Sequence, residues 1–170
     1  MAVEIERKFL LANDGWRAVC RGSRRMAQGY LNDAGAVREG RQNTSVRVRI
    51  AGDDAWLNIK SRDAGVMRQE FEYPIPQADA EALLALCVGA CIDKIRHLVE
   101  HAGHTWEVDE FLGDNAGLIV AEIELADCDE AFARPDWLGC EVSDQLRYYN
   151  LNLAERPFAQ WSDEEKHPCL

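Results

Sequence analysis

Charged residues recur at every second position through most of this chain. They form runs of one parity: Glu4-Ile-Glu6-Arg-Lys8, Arg47-Val-Arg49, Arg68-Gln-Glu70-Phe-Glu72, Lys94-Ile-Arg96, Glu107-Val-Asp109 and Glu122-Ile-Glu124. Alternate residues of an extended strand face opposite ways, so each run gives a strand with one charged face and one largely apolar face. In the first run, Val3, Ile5 and Phe9 oppose Glu4, Glu6 and Lys8. A helix would scatter these charges around its axis, so the period alone points to a β-rich fold.

The pattern predicts strands over 2–11, 24–33, 44–51, 55–62, 67–75, 91–101, 104–112 and 117–126. Asp33-Ala-Gly35, Gly52-Asp53-Asp54, Gly103 and the 113–117 segment supply turns, and Pro74 and Pro76 end the fifth strand. Residues 77–89 read as a helix, with Leu83, Leu84, Leu86 and Val88 among alanines and acids and Gly89 as the stop. The segment after Asp127 is expected to hold one or two short helices, with Ser143-Asp144 as an N-cap and the last ten residues frayed. Eight strands at near-hairpin spacing suggest a mainly β, α+β fold built on an antiparallel barrel, about wide enough for one small ligand.

With 170 residues, the chain suits one domain. No apolar run approaches the length of a membrane helix, and acids stand where a signal peptide needs a basic start, so a cytoplasmic protein with no membrane partner is expected. Its six cysteines show no CxxC pair or metal spacing, and reduced thiols are expected. A net charge of −11 disfavours nucleic acid as a partner. It leaves room for a small polyanion, because a local basic cluster can dominate within a cleft.

The charged faces can meet water outside an ordinary barrel, or they can face inward. Two features favour the inward arrangement. Seven Lys or Arg and eight Asp or Glu fall on one parity of seven strands, and they come as repeated ExE and RxR pairs rather than a loose polar mix. A charged interior is costly unless its charges are paired or occupied by ions and ligand. A polyanion with a divalent metal satisfies both signs: basic side chains take phosphate oxygens, and carboxylates take hard cations such as Mg²⁺ or Mn²⁺.

Taken in order, the motifs resemble the CYTH superfamily, the triphosphate tunnel metalloenzymes. The ExExK signature stands as Glu4-Ile-Glu6-Arg-Lys8. Gln28-Gly-Tyr30-Leu, Arg47-Val-Arg49, Leu57-Asn-Ile-Lys60, Arg68-Gln-Glu70-Phe-Glu72, Lys94-Ile-Arg96, Trp106-Glu107-Val-Asp109 and Ala121-Glu122-Ile-Glu124-Leu125 follow. The resemblance ends in Val142-Ser143, Tyr148-Tyr149-Asn150 and Leu153-Ala154, so a tunnel domain over 1–155 with a tail at 156–170 is expected. It implies an eight-stranded antiparallel tunnel with charge inside, acting on triphosphates with a divalent cation, Mg²⁺ or Mn²⁺.

Carried over by motif, Lys8, Arg47, Arg49, Lys60, Arg68, Lys94 and Arg96 are implied to contact the polyphosphate. Glu4, Glu6, Glu122 and Glu124 are implied to hold the metal, with Glu70, Glu72, Glu107 and Asp109 as supporting partners or further ligands. Lys94 and Tyr30 match a lysine–tyrosine dyad thought to activate the attacking water. The leading expectation is hydrolysis of inorganic tripolyphosphate to diphosphate and phosphate, as in bacterial stand-alone members. A class IV adenylate cyclase or a thiamine or nucleoside triphosphatase on the same fold is the alternative, with Trp56 available to stack on a base. A non-catalytic polyphosphate binder is a third, disfavoured by the many carboxylates. A homodimer through exposed apolar strand faces is also expected.

Overall fold

The computed structural model describes residues 2–62 and 67–167, with side chains over 5–62 and 69–167. Nine strands occur in the order β1 (Ala2–Leu11), β2 (Cys20–Tyr30), β3 (Thr44–Ala51), β4 (Asp54–Ser61), β5 (Met67–Pro74), β6 (Val88–His101), β7 (His104–Phe111), β8 (Ile119–Glu124) and β9 (Leu138–Glu141). They pair as β5-β4-β3-β2-β6-β7-β8-β1-β9, all antiparallel. The start of β1 also pairs with β5, with Ala2 opposite Glu70 and Ile5 opposite Met67, which joins the two ends of the eight-strand series. The antiparallel barrel expected from strand spacing is the architecture observed.

Two of the three apolar clusters lie on the outside of this ring. One cluster sets Ile5, Phe9, Trp106, Val108, Ala121 and Ile123 from β1, β7 and β8 against Trp16, Trp137 and Leu138. A second joins Ile92, Phe111 and Val120, which continue the charged parity of β6, β7 and β8 at one end of the ring, to Val142, Tyr148, Leu153 and Trp161. A third packs Val48 and Ala55 under Ala80 of helix α2 (Gln77–Leu84). The first and third clusters bury the apolar parity of their strands, which leaves the charged parity to face inward. Burial of this surface, at about 25 cal/mol per Å², supplies the driving force that lets a polar interior persist. Arg7 sits on the apolar parity of β1 because its guanidinium lies 5.6 Å from the Phe9 ring and 5.0 Å from Phe132 while donating to Glu141 at 2.8 and 2.5 Å.

Several elements differ from the sequence expectation. β2 begins at Cys20, so it runs longer than 24–33 suggests, and it stops at Tyr30. Beyond it Asp33 caps a short helix α1 (Ala34–Arg38), accepting from the Ala36 amide at 2.8 Å, where the sequence read as a turn. Helix α2 ends at Leu84 rather than at Gly89, which instead belongs to β6 with φ of 77°. β9 was not anticipated, since four residues carry no readable alternation; it fits because Gly139 has no side chain, and a Cβ there would stand 2.7 Å from the Leu10 carbonyl oxygen. Ser143 does not cap a helix. Its hydroxyl accepts from the Lys8 amide at 2.9 Å, and helix α3 (Asn150–Glu155) begins after Tyr149. The segment expected to fray contains buried Trp161 and a capping box, Ser162 with Glu165, that opens helix α4 (Asp163–Lys166). Cys20, Cys87, Cys91 and Cys128 are free thiols, whereas Cys140 is disulfide-bonded, a departure from the all-reduced expectation. Among the described residues no helix is long and apolar enough to cross a membrane.

Candidate active site

The ring encloses a cavity of about 260 Å³. Of the expected site residues, Glu6, Lys8, Tyr30, Arg47, Arg49, Lys60, Glu70, Glu72, Lys94, Arg96, Glu107, Glu122 and Glu124 line it. Asp109 lies behind the wall, fully buried. The side chains of Glu4 and Arg68 fall outside the described ones; their backbones pair directly across β1 and β5. Gln28, Asn150 and Tyr149 also line the cavity and were not picked out as site residues.

Strand register decides which charge meets which. Lys8 pairs with Glu122 and Glu6 with Glu124 across β1 and β8. The Lys8 ammonium accordingly donates to both Glu6 and Glu122, and lies 4.9 Å from the Tyr149 ring. Burial works against the Lys8 charge, but Glu122 and Glu6 outweigh it and hold the ammonium above its usual value. Burial alone would raise the Glu122 carboxyl; Lys8, Arg96 and Lys94 reverse this and hold it well below the carboxylate range.

Across β6 and β7, Arg96 is paired with Asp109. Its guanidinium donates to both Asp109 oxygens at 2.7 Å, reaches Glu122 at 2.9 Å, and is ion-paired to Glu107. Asp109 also accepts from Lys94. One buried carboxylate thus fixes two cations, and Arg96 links two strands' worth of acids. Burial, helped by the adjacent Arg96, pulls the Lys94 ammonium below its usual value despite Asp109. Glu107 is pushed up by burial, with Glu122 and Asp109 adding to the shift against Arg96.

The opposite wall is looser. Arg49 donates to Glu72 at 2.7 Å, while Glu70 lies 3.9 Å from Arg47 and 3.5 Å from Lys60. Asn58, fully buried, donates to Glu70 at 3.1 Å and to Glu72 at 2.5 Å, which sets the positions of both acids. Burial and then Arg47 make Arg49 a poorer proton holder than a free arginine. Three buried donors on the cavity wall have no partner: Gln28 Nε2, Arg47 Nε and Arg49 Nε. A buried donor left unpaired costs on the order of 1–3 kcal/mol, and an oxyanion in the cavity removes that cost. Sequence alternation places Gln28 on the inner face, but only the structure exposes its unsatisfied amide.

Two expectations meet less support. Tyr30 lies four residues along β2 from Met26, the partner of Lys94. That is roughly 13 Å of strand rise, so Tyr30 and Lys94 face one cavity from separate levels. Trp56 lies 5.1 Å from the Arg49 guanidinium and is not among the residues lining the cavity.

The donor chemistry suits a hard cation, since every acidic lining group is a carboxylate and Glu6 and Glu122 converge on one ammonium. Among the described residues no group of three candidate ligands is preassembled.

The arrangement can bind a short chain of phosphates along a wall of six cations. Relatives agree with that chemistry. The inorganic triphosphatase of Acetivibrio thermocellus is 40% identical over 164 residues, covering 96% of this chain and all of the relative. That of Nitrosomonas europaea is 34% identical over 157 residues, covering 89% and 96%. The crystal structure of the inorganic triphosphatase NE1496 superposes with a TM-score of 0.64 at 31% identity, over 91% of this chain and 95% of that one. The CYTH domain model matches residues 2–158, and the chain belongs to the CYTH domain family.

Proposed function

We propose that this protein hydrolyses inorganic tripolyphosphate to diphosphate and phosphate within the charged cavity. The observation that carries the reading is the cavity wall: six cationic side chains, with unpartnered buried donors on Gln28, Arg47 and Arg49, beside a separate group of carboxylates. Phosphoryl transfer needs positioning and charge neutralisation more than covalent help. Arg47, Arg49 and Lys60, with Arg68 on the adjoining strand, hold the phosphate chain from one wall. Lys8 and Arg96 hold it from the other, where Lys94 contacts it as a hydrogen-bond donor. Glu6, Glu122 and Glu124, with Glu4, would hold Mg²⁺ or Mn²⁺, and Glu70, Glu72, Glu107 and Asp109 orient the cations. A bound divalent cation supplies further positive charge at the phosphate oxygens. The names of two relatives support this reading over a cyclase or thiamine triphosphatase, as does the position of Trp56 against Arg49 rather than on the cavity wall.

The test is phosphate release from tripolyphosphate, ATP and thiamine triphosphate in parallel, with Mg²⁺, Mn²⁺ or EDTA. Fast release from tripolyphosphate only with metal is expected. Production of cyclic AMP and diphosphate from ATP, or binding without release, would contradict it.

Lys94 is the proposed acceptor of the water's proton, and Tyr30 orients substrate or water from another level of the cavity. The lowered proton affinity of Lys94 sets the sign of the pH effect. The base must be neutral, so kcat should rise with pH and level off above the Lys94 pKa. In Lys94→Arg the side chain stays protonated, and this rise should vanish with a loss of at least about 100-fold in kcat. An unchanged pH profile in Lys94→Arg would remove Lys94 from this role.

A further inference from the structure

We infer that a second cavity, on the outer face of the ring, is a binding site for a phosphate group. It encloses about 330 Å³ between α1, α3 and the turn after α3, and it is lined by Arg38, Arg147, Asn152, Glu155, Arg156 and Trp161. Three guanidinium groups meet there on a chain with a net charge of −11.

Two of them are compensated. Arg38 donates to Glu155 at 2.8 and 3.1 Å, and Arg156 donates to Glu165 at 2.8 Å through two nitrogens. These two-point pairs also fix their orientation. Arg147 is different. It has no carboxylate within ion-pair distance among the described residues, and its Nε is buried without a partner. It is nonetheless held in place: it donates to the Gln145 side chain at 2.7 Å and lies 5.2 Å from the Tyr148 ring and 5.4 Å from the Trp161 ring. A fixed, uncompensated guanidinium with a buried spare donor is the feature an oxyanion satisfies. Arg38, Arg156 and the Asn152 amide stand at the same cavity to take further oxygens. Glu155 and Glu165 are each bound to one arginine, so the positive charge left over resides at Arg147.

The segment that carries this cavity also bounds the inner one. Tyr149, Asn150 and Leu151 line the tunnel, while Arg147, Asn152 and Glu155 line the outer pocket. The outer site stands on its own lining and does not depend on what the tunnel cleaves.

The test is calorimetric titration with orthophosphate, and separately with AMP, in EDTA. Wild type is compared with the tunnel variant Arg47→Ala/Arg49→Ala, with and without Arg147→Gln. Removing a charge-assisted hydrogen-bonding group weakens binding by at least about tenfold. The tunnel variant should keep a phosphate site that Arg147→Gln weakens by that factor, while Arg147→Gln alone leaves tripolyphosphate turnover intact. Asn152→Asp, which adds a carboxylate to the pocket without touching Arg147, should weaken the same site. Binding of orthophosphate alone assigns the site to the free ion, and binding of AMP as well assigns it to a phosphate ester; either supports the inference. A tunnel variant that binds neither ligand, or a site unaffected by both Arg147→Gln and Asn152→Asp, would overturn it.

Discussion

Arg96→Ala is expected to cost this protein both its stability and its activity. The substitution leaves Asp109 fully buried with Lys94 as its remaining cation, and strips Glu122 and Glu107 of a shared partner. Breaking a buried charge pair by removing one member typically costs about 3–5 kcal/mol, because the partner's desolvation is no longer offset. For a chain of this size that is a fall in melting temperature of roughly 6–20 °C. Activity should fall by at least about 100-fold from the loss of a positioned phosphate donor. Arg96→Lys should recover part of the stability and little of the activity, since an ammonium cannot reproduce the two-point contact with Asp109. Thermal melts and steady-state kinetics on the two variants separate these effects. A melting temperature unchanged in Arg96→Ala would contradict the assigned network.

Arg47→Ala should behave in the opposite way. Among the described residues, the only ion pair of Arg47 is at 3.9 Å to Glu70, its Nε has no partner, and its charge disfavours that of its neighbour Arg49. Little native stabilisation is lost when it goes, because Glu70 keeps Lys60 at 3.5 Å and a hydrogen bond from Asn58, so the melting temperature should stay within a few degrees. The value of kcat/KM for tripolyphosphate should drop by about 100-fold, because Arg47 lines the cavity with an unpartnered donor that a phosphate oxygen can take. A large stability loss with preserved kcat/KM would reverse the roles given to the two walls.

The contrast between these arginines marks how far the sequence can be read. The alternation of Arg47 and Arg49, or Lys94 and Arg96, against apolar neighbours follows from the period of a strand, and it correctly identifies the face lining the cavity. The inversion of the barrel was legible too, because Val48, Val99 and Val108 supply an opposite face that needs cover. What each charge touches was not legible. Arg96 meets Asp109 and Glu107 from β7 and Glu122 from β8, contacts set by the register of each strand on the next. No spacing rule shows that Asp109 is sealed behind the wall while Glu107 faces the cavity. Short elements were lost for a local reason. β9 is four residues held by a close approach of Gly139 to Leu10, and α1 depends on a single aspartate cap that also reads as a turn. Gln28 was on the correct face, but its unpartnered amide is a product of packing.

The account's central claim is that the charged cavity cleaves triphosphate, and one measurement tests it most directly. Tripolyphosphate turnover is followed by ³¹P NMR with Mg²⁺, using wild type and folded Arg47→Ala/Arg49→Ala. Wild type should convert tripolyphosphate to equal amounts of diphosphate and phosphate, with none formed in EDTA, and the folded double variant should be nearly inert. A folded double variant that turns over at the wild-type rate would place the chemistry outside this cavity.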